Sequence, residues 1–191
     1  MTDAAATAFA QHRALLDRVE ELLPTAARVA ERLVEAFRGD GRAFTFGNGG
    51  SSVDAQHLAE ELVGRYKRDR RPLPAQSLSV DASVLTCIAN HYSFEEVFER
   101  QVRGFVRDGD VVVGFTTSGR SPNVVRGLAA ARELGATTVL FGGGDGGPAA
   151  EHAELALVVP SGETARVQEM HVLLLHVILE HVDTWAAGEG A

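Results

Sequence analysis

Apolar residues recur at helical spacing from the start of the chain: Phe9, Leu15, Leu16, Val19, Leu22 and Leu23. Pro24 interrupts the pattern, and Val29, Ala30, Leu33, Val34 and Phe37 resume it until Gly39 and Gly41. Two helices over residues 4–38 are predicted. The period then changes. Ala43 to Phe46 is an apolar run of strand length that opens into Gly47-Asn48-Gly49-Gly50-Ser51-Ser52. A helical pattern follows, with Val53, Leu58, Leu62 and Val63 as its apolar contacts and Gly64 as its stop signal. Pro72 and Pro74 mark a loop, Ala75 to Val80 alternates weakly as a second strand, and Ser83 to Ala89 reads as a short helix. Phe94 to Val106 is helical, with Val97, Phe98, Val102 and Phe105 on its inner face.

The continuous β-branched run Val111-Val112-Val113-Gly114-Phe115 suits a strand buried on both faces. It ends in Thr116-Thr117-Ser118-Gly119-Arg120-Ser121-Pro122-Asn123, where Pro122 fits the first helical position and Ser121 its cap. A third strand, Thr137 to Phe141, leads through Gly142-Gly143-Gly144-Asp145-Gly146-Gly147 to a short helix, and Leu155 to Val159 is a last strand. The final helix runs from about Thr164 to Ala187 and is apolar almost all round between Met170 and Leu179, which predicts burial, here in a subunit interface.

Strands alternating with helices across short links predict an α/β fold: a doubly wound, five-stranded parallel sheet in the flavodoxin-like order 2-1-3-4-5. The N-terminal helical hairpin has no place inside a simple sandwich of this kind and is expected on the outside or against another subunit. In such sheets ligands bind beyond the strand C-termini where strand order reverses, between the first and third strands. The GNGGSS and TTSGRS loops follow those two strands. Each is a loop feeding a helix N-terminus, where free N–H groups and the helix dipole favour an anion.

One turn deeper, Asp54, His57 and Glu61 share one helix face. This is an acid/base or metal-ligand pairing, although a glycine loop is also read as a plain turn and a His/Glu pair at i,i+4 as a solvated face. Two other motifs are excluded. The dinucleotide fingerprint wants glycine where Ser52 stands, and a P-loop wants a lysine that does not follow.

The 191 residues suit one domain with a full core, and 45% apolar with 23% charged residues is ordinary for a globular chain. A formal charge of −8 argues against a general nucleic-acid surface. The most basic patch, Arg65-Tyr66-Lys67-Arg68-Asp69-Arg70-Arg71, is interrupted by an acid and reads as a solvated loop from which Arg65 could reach a phosphate. A single cysteine, Cys87, fits a reducing compartment. With no signal-peptide pattern and no apolar run near membrane-spanning length, a cytoplasmic protein is expected.

FGNGGSSVDAQHLAEELVGRY, TTSGRSPN and ARVQEMHVLLLH, in this order and spacing, resemble the sugar isomerase (SIS) domain family over nearly the whole chain. Within it they are most similar to the members that isomerise sedoheptulose 7-phosphate to D-glycero-D-manno-heptose 7-phosphate, the first step of nucleotide-activated heptose synthesis. The resemblance implies one SIS domain over 1–191, in which residues 1–40 serve oligomer contacts of a homotetramer and 41–191 form the α/β core. It implies that Asn48, Gly49, Gly50 and Ser51 hold the substrate, that Thr116, Thr117, Ser118 and Ser121 bind its phosphate, and that Glu61 and His176 are the acid/base pair. His57, Glu61, Gln168 and His176 match the family's zinc ligands, one Zn²⁺ per subunit, a donor set chemically reasonable for zinc.

Two departures concern the substrate pocket. Those enzymes commonly carry Asp after the asparagine, where this chain has His91 next to Asn90. Some carry Asp three residues before the glutamine, where Ala165 stands. His91 is read as a solvated loop residue, a substrate contact or a replacement acid/base. Two alternatives accompany the isomerase: a non-catalytic homologue that binds the replication initiator, and an isomerase of another phosphosugar in secondary metabolism. The first lacks the acid and the histidine at the positions of Glu61 and His176, both present here.

Overall fold

The structure is a computed structural model in which residues 3–188 are described. Its centre is a five-stranded, all-parallel sheet in the order β2-β1-β3-β4-β5, built from β1 (Ala43–Gly47), β2 (Ala75–Ser77), β3 (Val111–Phe115), β4 (Thr137–Gly143) and β5 (Leu155–Val159). This is the order expected from the alternation of elements. β1 and β3 are adjacent, with Gly47 opposite Phe115, so the loops leaving them emerge side by side.

Alternate residues along the strands feed two cores. One lies under α2 (Leu23–Arg38), α3 (Gly50–Val63) and α7 (Thr164–Gly188), where Val111, Val113 and Phe115 meet Leu33, Leu58 and Leu174. The other lies under α4 (Ala82–His91), α5 (Val97–Phe105) and α6 (Pro122–Glu133), where Phe46, Val112 and Leu140 meet Phe98, Val102 and Leu128. Every residue of β1 and β3 is buried, as a strand covered on both faces requires.

Several expectations are corrected. The second N-terminal helix, α2, is not external: Ala26, Val29, Ala30, Leu33 and Phe37 are buried against α7 and the sheet, so it is a member of the sandwich. Only α1 (Asp3–Glu20) rides outside, burying just Leu15 and Val19. The apolar stripe of α7 is likewise buried chiefly within the chain, leaving Leu173 exposed. β2 stops at Ser77 rather than Val80, because its only sheet neighbour is β1 and three residues complete their pairing. On α3, Val53 and Val63 face outward while Ser51, Asp54 and Ala55 join Leu58 and Leu62 inside. On α5, Phe105 is exposed and Gln101 takes an inner position, its amide donating to the Leu78 and Val97 carbonyls. Phe94–Glu96 and Pro148–His152 are short 3₁₀ turns. Among the described residues no helix is long and apolar enough to cross a membrane.

Candidate active site

The two loops predicted to meet do so in a cleft of about 230 Å³ at the C-terminal ends of β1 and β3. Asn48, Gly50 and Ser51 form one wall, Thr116, Thr117, Ser118 and Ser121 another, and Thr164 and Gln168 close it from the start of α7. Phe115 lies at its base. Gly49 forms the turn just outside these walls. The first turns of α3 and α7 and the N-cap of α6 therefore converge on one space, and none of the walls carries a charged side chain. Helix starts and loop N–H groups of this kind favour an anion even without lysine or arginine.

Local chemistry explains how the loops hold their shape. The Thr116 hydroxyl accepts from the Gly119 N–H at 3.2 Å, and Ser118 Oγ accepts from the Arg120 N–H at 3.2 Å. Ser121 stands at the N-cap of α6 as predicted, but its side chain makes no capping bond and instead lines the cleft. Asn48 and Asn123 exchange amide hydrogen bonds of 2.8 and 2.9 Å, which fastens the glycine loop to the first turn of α6. Gly50 lies in close approach to Gln168: a methyl there would sit 2.9 Å from its Cδ and Oε1 and closer still to Nε2.

From that contact α3 and α7 run side by side in the same sense, because their later residues meet as well. The ligating atoms of His57, Glu61 and His176 all lie within 4.8 Å of one another. His57 Nε2 is 3.4 Å from Glu61 Oε1, and the rings of His57 and His176 meet edge to face at 5.0 Å. Tyr66 stacks on the other imidazole, its ring 5.6 Å from that of His176 and inclined by 26°. Burial, and then the neighbouring His57, hold His176 below the ordinary histidine pKa, which favours the neutral imidazole. Asp54, one turn before His57, is turned inward, and its Oδ2 is buried without a hydrogen-bond partner. Burial pushes its pKa up to about 6 against the lowering effect of His57.

The structure thus gathers three of the four residues expected to hold a metal, while Gln168 stands with the cleft, against Gly50. A nitrogen–oxygen–nitrogen donor set at this separation fits Zn²⁺. Asn90 and His91 are not brought to the cleft: they lie exposed at the C-terminal end of α4. Sequence reasoning missed Phe115 and Thr164 in the walls, Asn123 behind them and Tyr66 on His176. Thr164 alone carried a signal, as the first residue of a helix whose neighbouring Gln168 was already a candidate.

The family model for the SIS domain matches residues 9–143. A phosphoheptose isomerase of Aquifex aeolicus is 52% identical over 155 residues, 81% of each chain. One of Pelobacter propionicus is 47% identical over 184 residues, 96% of this chain and 97% of that one. The structure of the phosphoheptose isomerase GmhA from Neisseria gonorrhoeae superposes with a TM-score of 0.89 at 37% identity, covering 95% of this chain and 98% of that one. With the family model matching residues 9–143 and a relative 47% identical over 96% of the chain, it belongs to the SIS domain family.

Proposed function

We propose that this protein is an aldose–ketose isomerase that converts sedoheptulose 7-phosphate to D-glycero-D-manno-heptose 7-phosphate through an enediol. The observation that carries the reading is the meeting of Glu61 and His176 beyond the anion cleft. The phosphate lies among the hydroxyls of Thr116, Thr117, Ser118 and Ser121 and the N–H groups of the glycine loop. Gln168 hydrogen-bonds the sugar chain between the two centres. His176 is eight residues beyond Gln168, roughly 12 Å along the helix, a span that suits a long phosphosugar held by its far end.

Glu61 removes a proton from C1 of the ketose while the O2 oxygen gains one, giving the enediol. Proton return to C2 and loss of the O1 proton yield the aldose. His176, biased toward its neutral form, moves the hydroxyl and ring-opening protons. His57, Glu61 and His176 would hold Zn²⁺, with Gln168 as the fourth ligand that the family resemblance implies, and the ion would supply polarisation of the carbonyl. The non-catalytic reading is disfavoured because the side chains it lacks, Glu61 and His176, are present with their ligating atoms within 4.8 Å of each other.

We read residues 1–191 as one SIS domain that works as a homotetramer. Phe9 and Leu16 on α1 and Leu173 on α7 are exposed apolar residues suited to subunit contacts, and Asn90 and His91 would face substrate only across such a contact. The test is incubation with sedoheptulose 7-phosphate in D₂O, where the expected product carries deuterium at C2. Folded, oligomeric protein that gives no exchange refutes the reading.

A further inference from the structure

Most of the basic run Arg65 to Arg71 is exposed, as its composition suggests, but Tyr66 and Arg70 turn inward. Tyr66, Lys67, Arg68 and Arg70 lie along α7 in step with His176, Glu180 and Asp183. These three helix residues are four and three apart and so form one stripe. Tyr66 stacks on His176, Lys67 pairs with Glu180, and Arg68 and Arg70 pair with Asp183. The last contact is interior. The side chains of Arg70 and Asp183 are each only 1% exposed, with Arg70 Nε 3.4 Å from Asp183 Oδ1. Asp183 Oδ2 also accepts from the Arg68 N–H at 3.1 Å. The remaining guanidinium donors of Arg70 close the end of α3: Nη2 donates to the Glu61 carbonyl at 2.6 Å and Nη1 to the Leu62 carbonyl at 2.8 Å. One side chain therefore holds the backbone of Glu61 and, through Asp183, the helix that carries His176.

We propose that the connector from Tyr66 to Arg70 is a clasp that positions His176 against Glu61, with Tyr66 and Arg70 as positioning residues. Phosphate binding is left to the loops at the other ends of both helices. The inference rests on the isomerase reading for its kinetic consequence and on geometry alone for its structural one. The planar guanidinium suits this place, because its three nitrogens each serve a different acceptor, Nε the carboxylate and Nη1 and Nη2 the two carbonyls, which a single ammonium centre cannot span in the same way. The Tyr66 ring limits the tilt of the imidazole, and misplacement by about 1 Å is enough to cost ~10²-fold in rate.

The experiment compares Tyr66→Ala, Tyr66→Phe and the double variant Arg70→Met/Asp183→Leu. The double variant replaces both ends of the buried pair by apolar groups, so no lone charge is left to unfold the protein. Tyr66→Ala and the double variant are expected to lose ~10²-fold in kcat with KM changed less than about threefold and an intact melting transition. Tyr66→Phe restores the rate. The imidazole proton resonances of His176, assigned by their loss in His176→Gln, shift in the two impaired variants. Unchanged kcat in Tyr66→Ala, or unshifted His176 resonances in both variants, overturns the clasp while leaving a turning-over wild type as an isomerase. If the wild type itself does not turn over, the isomerase reading falls and the resonance shifts alone decide the clasp.

Discussion

Gly50→Ala tests whether the approach of Gln168 to the glycine loop matters for catalysis rather than for folding. Carbon contacts are comfortable at about 3.5–4.0 Å, whereas the new methyl would stand 2.9 Å from Cδ of Gln168. The overlap is thus ~1 Å at the far end of a flexible side chain, and the amide, not the backbone, gives way. Stability should change by less than about 1 kcal/mol, since alanine is the better helix residue at the start of α3. Activity should not be spared, because the displaced amide leaves the cleft wall. We expect kcat/KM to fall ~10–100-fold, equivalent to about 1.4–2.7 kcal/mol of transition-state binding. The assay is a double-mutant cycle with Gln168→Ala, followed by coupled heptose phosphate formation and thermal melting. If the methyl acts only through Gln168, Gly50→Ala costs nothing further in the Gln168→Ala background. Full additivity, or an unaltered kcat/KM in the single variant, refutes the reasoning. Gly119→Ala is the contrast: there φ is +65° and the methyl would meet the Gly146 carbonyl and Gly147 N, so loss of the folded loop is expected on melting.

Other outcomes follow from the same geometry. Glu61→Gln and His176→Gln should each lower kcat by at least ~10²-fold, read as the rate of deuterium entry at C2, with phosphate affinity retained. Zinc added to chelator-stripped protein should bind at about one ion per subunit and His57→Ala should abolish it, by metal analysis; a stoichiometry near zero at full activity removes the metal from the reaction. Two buried groups should give opposite pH dependences of stability. Asp54, with its pKa raised from 3.8 to about 6, binds a proton in the folded state that the unfolded chain lacks between those values, so its contribution is lost as pH rises through 6. His171 is pushed down from 6.5 to about 4 by burial, partly offset by its bond to the Gly142 carbonyl, so its contribution is lost as pH falls from 6.5 to 4. Between pH 4 and 6 the two oppose each other at about 1.4 kcal/mol per pH unit each. In denaturant titrations Asp54→Asn should make stability rise more steeply with pH in that window, and His171→Phe less steeply.

Much of this was legible in the chain. Alternating apolar runs and glycine-rich junctions indicated the strand order, and the order alone brought the loops after β1 and β3 together. The i,i+4 spacing of His57 and Glu61 placed them on one face, as observed. What could not be read depends on distant partners. The apolar stripe of α2 does not reveal that a third helix is needed to cover β5 beside α7, so the helix was placed outside the sandwich or against another subunit. The amide exchange of Asn48 with Asn123 links residues 75 apart, with no local pattern to announce it. Arg70 in a basic run looked solvated because the carboxylate that buries it lies more than a hundred residues away, at Asp183. Gln101 was not among the inner-face residues expected on α5, yet the Leu78 carbonyl gives its amide an inward partner.

The cleft lies at the starts of three helices and is lined by no charged side chain, so an anion held there would be held by peptide groups and hydroxyls. A binding site built from lysines would weaken as ionic strength climbs and would lose its charge in alkali. Peptide dipoles do neither to the same degree, since they carry no exchangeable proton and sit within a turn of the ligand, inside the reach of screening ions. On a strongly acidic chain, such a short-range attraction can seize a dianion on arrival without making the rest of the surface adhesive to polyanions.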